Sequence, residues 1–171
     1  MKPKFVSQPE IAGKMRDKRF VDLHRGGSLT KEQHGQLLLW ACACVENVLF
    51  LLDEADRNQV SKVLVVAKNW VTECATVADA RKAALEMISL ARELQNGAQE
   101  AVVRAAGHAV ATAHMADHSL RTAAYVLKAA KIAQNAIEAE RLFQESVLPA
   151  AIRGLVLAAE GDLAFPSKQR I

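Results

Sequence analysis

Ala105-Ala106-Gly107-His108-Ala109-Val110-Ala111-Thr112-Ala113-His114-Met115-Ala116-Asp117-His118 is a run of small residues broken by three histidines and one aspartate. Alanine loses almost no side-chain entropy in a helix, so the run predicts helix. The spacing places one helix from about Ala98 to Met115. On it Ala98, Ala101, Ala105, Ala109, Thr112 and Ala116 share a small-residue face that lets a second helix approach closely. Gly107 lowers helix propensity by about 1 kcal/mol relative to alanine and permits a close backbone crossing.

Helical spacing extends outward from this segment in both directions. Thr30 followed by Gln33 forms a capping-box pattern and starts a helix expected from Lys31 to about Glu54. Its apolar stripe is Leu37, Trp40, Cys44, Val48 and Leu51. Asp56 is expected to cap a second helix, Arg57 to Cys74, with Val60, Leu64, Ala67 and Val71 inward. Thr76 with Asp79 caps a third, Val77 to about Gln95. Asn96-Gly97 reads as its stop. A fifth helix begins near Asp117 or Ser119, a sixth runs from Gln134 to Phe143, and a last one covers Ala150 to Ala159, ended by Gly161. No alternating strand pattern is sustained, and Val63 to Val66 lies inside a helical period. The expected fold is all-α: a single-domain bundle of six to seven helices, mostly antiparallel because the loops are short. A less ordered N-terminal arm (1–27) precedes the domain (28–160), and a tail (161–171) follows.

Composition narrows the function. Of 171 residues, 51% are hydrophobic, 24% charged and 5% aromatic, so the core must be built from aliphatic residues and alanine. The net charge of +3 lacks the basic stripe of a nucleic-acid binder. No apolar leader is visible and the run Leu37 to Leu52 reads as too short for a bilayer, so no membrane partner and a cytoplasmic location are expected. Cys42, Cys44 and Cys74 are odd in number and fit free thiols in a reducing compartment. Asp53, Glu54 and Asp56 form a local acidic group at an expected helix end.

The chemistry on offer is sparse. There is no phosphate-binding loop, dinucleotide fingerprint or nucleophile elbow. His114 and His118, four apart, would share a helix face and are the weak candidates for metal ligands. On the same wheel His108 falls about 80° from His118 at 100° per residue, and no third ligand is evident. A polar network that fixes helix register accounts for His108, His114, Asp117 and His118 with fewer assumptions, and Asp117 is placed to cap the next helix. Trp40 and Trp70 read as core anchors; either one exposed beside an acidic patch would instead mark a protein interface.

Several segments resemble a helical family of predicted bacterial immunity proteins, the immunity protein five-like group. They are Arg25-Gly26-Gly27-Ser28-Leu29-Thr30 with His34 and Leu39-Trp40-Ala41, then Ala67-Lys68-Asn69-Trp70, Ala78 to Ala84, and above all Arg104 to His118, followed by Ala123-Ala124-Tyr125 and Ala139-Glu140. The likeness covers roughly residues 20–157. Two places depart from the family pattern: Cys42-Ala43-Cys44-Val45 after the tryptophan, and Glu73-Cys74 where Gly-Glu is commoner.

The resemblance implies a cytoplasmic antitoxin that binds a cognate protein toxin and does no chemistry, with no cofactor and no nucleic-acid partner. Candidate binding residues are Arg104, Gly107, His108, His114, Asp117 and His118 of the histidine motif, with Trp40, Asp53, Glu54 and Asp56 as surface candidates. Two rival readings stand beside it. One is a metal protein or enzyme using His108, His114, Asp117 and His118. The other is an oligomeric scaffold, for instance a homodimer, joined through the alanine face.

Overall fold

A capping box needs only a threonine, a side chain three residues on and the amides between, so it forms wherever those residues fall. Thr30 accepts from the Gln33 amide while Gln33 reaches back to the Thr30 amide, and Thr76 and Asp79 do the same. These caps open α1 (Lys31–Glu46) and α3 (Val77–Glu93) in the computed structural model, which describes residues 16–164. The other helices are α2 (Glu54–Val71), α4 (Gly97–Ala111), α5 (His118–Ile132), α6 (Ile137–Ser146) and α7 (Ala150–Ala164). Among the described residues the only β pairing is an isolated bridge between Asp22 and Leu29. The described residues fold as an all-α bundle of seven α-helices. Expectations for residues 1–15 and 165–171 lie outside the described residues.

The core is built from small and aliphatic side chains, as the low aromatic content requires. Helix α4 is the central element, packed on α1, α2, α3 and α5. Its predicted small-residue face is enclosed throughout: Ala98, Ala101, Ala105, Ala109, Thr112 and Ala116 are all buried. The alanine face is thus used within one chain and is not exposed as a subunit contact. Gly107 lies where an added Cβ would stand 3.2 Å from the Cβ of Met87 on α3, so its lack of a side chain sets how closely the two helices approach. The start of α1 meets the end of α2, where Lys31 pairs with Glu73 and Gly35 lies beside Val71. Helices α4 and α5 are antiparallel: Ala105 meets Thr122 and His108 meets His118.

Several helix boundaries differ from expectation. The first helix ends at Glu46, not Glu54; a 3-10 turn, Leu49–Leu51, follows, and Asp53 rather than Asp56 caps α2. The stretch Lys31–Leu51 does reach the length and apolarity of a membrane span, contrary to the sequence estimate. In the bundle its Leu37, Leu38, Trp40, Ala41, Cys42, Cys44 and Val45 face the core. Asn96 does not stop α3 but caps α4, accepting from the amides of Ala98 and Gln99. Helix α7 passes through Gly161 to Ala164; one glycine costs about 1 kcal/mol, too little to end a helix by itself.

Part of the N-terminal arm is docked. Residues 18–20 and 23–25 form 3-10 turns, Phe20 and Leu29 are buried, the Leu29 amide donates to the Val21 carbonyl and the Leu23 amide donates to the Leu29 carbonyl. Gly27 sits so close to this turn that a Cβ would fall 1.8 Å from the carbonyl oxygen of Val21. Gly27→Ala is therefore expected to undock residues 16–30. Limited proteolysis should cut there about tenfold faster, equivalent to losing about 1.4 kcal/mol of local protection. Unchanged cleavage would show that the turn absorbs the methyl group.

After α2 the chain turns through Glu73, whose φ of 61° lies in the left-handed region that favours glycine. This is the position where the resembled family commonly has glycine. The strain of about 1 kcal/mol exceeds the worth of the exposed Lys31–Glu73 pair. Glu73→Gly is expected to raise the unfolding free energy by about 0.5 kcal/mol, since the glycine's unfolded-state entropy offsets part of the gain; a chemical-denaturation midpoint that falls instead would assign more weight to the ion pair.

Candidate functional site

Helix α4 does not run through the histidine segment. It stops at Ala111, the chain turns through residues 112–117, and α5 starts at His118 and doubles back. The helical-wheel geometry of the three histidines is therefore corrected. His118 stands opposite His108, with their Nδ1 atoms 2.9 Å apart and ring centroids 5.0 Å apart. His114, on the turn, lies with its ring centroid 5.4 Å from that of His118. Tyr125, one helix face further along α5, lies 5.3 Å from the His108 ring.

A bond between two Nδ1 atoms needs one donor and one acceptor, so one of His108 and His118 is protonated there and the other is not. Neutral rings satisfy this; two imidazolium rings would set donor against donor. Burial and neighbouring positive charge favour the neutral forms. Desolvation, with His118, Arg121 and Arg104 nearby, holds His108 down to about 4. Burial lowers His118 as well, and burial with Arg81 and Arg16 lowers His114. His114 Nδ1 and Asp117 Oδ1 are buried atoms without a hydrogen-bond partner. Asp117 occupies the N-cap position of α5, yet its side chain makes no capping bond.

These rings open onto a cleft of about 590 Å³ between α3 and α4. Arg104, Gly107, His108, His114 and His118, all singled out from the sequence, line it together. Arg104 also pairs with Glu100 one turn away, at 2.7 Å. The opposite wall comes from α3: Arg81, Ala84, Leu85, Met87 and Ile88. Sequence reasoning missed this wall. Arg81 and Leu85 sit off the buried stripe of α3, and nothing local distinguishes them from a solvated face.

The turn that presents His114 is pinned from behind by His34. His34 on α1 is 4% exposed. Its Nδ1 lies 2.7 Å from Asp22 of the docked arm and its Nε2 lies 2.6 Å from the carbonyl oxygen of Thr112. Both partners are oxygen acceptors, so each ring nitrogen faces one. One side chain thus ties the arm, α1 and the start of the histidine turn.

The remaining candidates lie elsewhere. Trp40 is buried, and its indole N–H donates to the Gln144 carbonyl at 2.9 Å, so it is a core anchor. Asp53 spends its carboxylate on the Asp56 amide, and Asp56 is itself buried, which leaves Glu54 as the one fully presented acid without a cap to make. The three acids belong to a helix start, where negative charge meets the helix dipole. They do not form a patch with the histidine cleft. Cys42 and Cys44 are buried free thiols, and burial pushes Cys42 up to about 12. His114 and His118 no longer share a helix face, and among the described residues no three His, Cys, Asp or Glu side chains are arranged to hold a metal ion.

A family model described as Imm-5 like putative immunity protein matches residues 27–151, which is well over half of the chain and includes every residue of the cleft. No curated protein and no solved structure matches it.

Proposed function

The chain belongs to the Imm-5 like putative immunity protein family, and from this premise we propose that it binds a cognate protein toxin and neutralises it without catalysis. The family match across residues 27–151 carries the reading. The site is consistent with it. Three neutral histidines, two arginines and an apolar wall make a recognition surface, with polar groups to orient a partner and aliphatic ones to anchor it. No nucleophile is held by a base within the cleft, which favours binding over catalysis. In this reading the protein works in the bacterial cytoplasm, where free buried thiols persist.

The test is co-expression with the toxin encoded beside it. Cells producing both are expected to grow, and the two proteins to elute as one complex in size-exclusion chromatography. Growth arrest with no complex would overturn the proposal.

A further inference from the structure

We propose that the α3–α4 cleft is the face that grips the partner, and that the partner fills it with a carboxylate side chain flanked by an aliphatic one. The inference rests on the toxin-binding reading and adds the surface and its chemistry.

Charge points to the carboxylate. Arg81 and Arg104 line the cleft beside the three histidines, and no Asp or Glu of the described residues lines it; Arg121, Arg16 and Arg25 lie near enough to act on one or two of the histidine rings each. Arg104 is shared with Glu100. The whole chain carries 22 Lys and Arg against 19 Asp and Glu, so a lining with two arginines and no carboxylate is a local concentration and not general basicity. In the neutral His108–His118 pair the accepting ring keeps its Nε2–H free, His114 carries an N–H of its own, and the guanidiniums add forked donors that match a carboxylate.

The apolar wall points to a protein. Leu85 is 63% exposed and Ile88 is 40% exposed, side by side with Arg81 on α3. Large aliphatic side chains left in water beside cations suit an acidic residue with an aliphatic neighbour. They do not suit single-stranded nucleic acid, whose bases stack on exposed aromatic platforms, and no aromatic carbocycle or indole lines the cleft. Tyr125 is half-buried behind His108.

The test titrates the full chain with a capped peptide, leucine-glutamate-glutamate-leucine, and with its glutamine counterpart, following the imidazole signals by NMR. The acidic peptide is expected to shift the rings of His108, His114 and His118 saturably, and to bind the R81Q/R104Q variant about tenfold more weakly. Both arginines reach solvent, so the double variant should keep its helical circular dichroism. Equal shifts with the glutamine peptide, no ring shifts, or equal affinity for the double variant would each overturn the proposal. So would displacement of the peptide by a short single-stranded oligonucleotide. A toxin held equally by wild type and double variant would also sink the cleft while leaving the proposed function intact. A chain that takes the acidic peptide here but protects against no toxin would support the cleft and sink the function.

Discussion

Replacing His34 with leucine is expected to lower the unfolding free energy by about 3 kcal/mol. The expectation comes from what the substitution leaves behind. Leucine fills much of the same buried space, so cavity formation contributes little. The cost is the Asp22 carboxylate, only 17% exposed as a side chain, and the Thr112 carbonyl, both stripped of their histidine partner. An uncompensated carboxylate in such a position costs more than the pair itself contributes. The double variant H34L/D22N removes the stranded charge and should recover about 1–2 kcal/mol, as a double-mutant cycle in urea would show. A single-variant loss below about 1 kcal/mol would mean that Asp22 simply swings to water. Because Thr112 begins the turn carrying His114, H34L should also broaden the NMR signals of His114 while leaving Trp40, on the far side of α1, unaffected.

The accuracy of the sequence reading followed how local each cause was. Thr30–Gln33 and Thr76–Asp79 were legible because a capping box is complete within four residues. Val60, Leu64 and Ala67 were legible as inward because an apolar stripe at helical spacing leaves few choices. Asn96 was misassigned for a physical reason: asparagine tolerates the left-handed conformation after a helix and is also a favoured N-cap, so the residue type alone does not choose. The break after Ala111 was invisible because alanine favours helix on both sides of it, and no proline or glycine marks the turn. What ends α4 there is tertiary: the Thr112 carbonyl is taken by His34, 78 residues earlier in the chain. That one error rearranged the site. It moved His108 from the side of the wheel to direct contact with His118, and it replaced an i, i+4 pair with a three-ring cluster. The motif itself gathered half of the cleft correctly, since Arg104, Gly107, His108, His114 and His118 are close in sequence. Arg81, Leu85 and Ile88 came from another helix and carried no signal of their own.

Acidification from pH 6.5 towards pH 4 is expected to remove about 2 kcal/mol of stability through His108, after allowing for solvent screening at its half-exposed position. His108 titrates near 6.5 when unfolded and is held to about 4 in the fold, first by desolvation and then by His118, Arg121 and Arg104, with Asp117 opposing them. Between those values the unfolded chain binds a proton that the folded chain refuses, so stability is full above pH 6.5 and falls as pH falls through the window. His114 and His118 are lowered too, and add in the same direction; Arg16, Arg25 and Arg81 act on them from the arm and α3. Buried Glu140 acts oppositely, since burial raises its carboxyl. Comparing variants at each pH cancels that contribution. His108→Gln keeps a hydrogen-bonding group beside His118 but cannot take the proton. Urea unfolding of H108Q should therefore lose less stability than wild type across this window, by about 2 kcal/mol at its acid end. Parallel curves for the two proteins would show that His108 is as free to protonate folded as unfolded. That outcome would also dismantle the neutral His108–His118 pair on which the shape of the cleft depends.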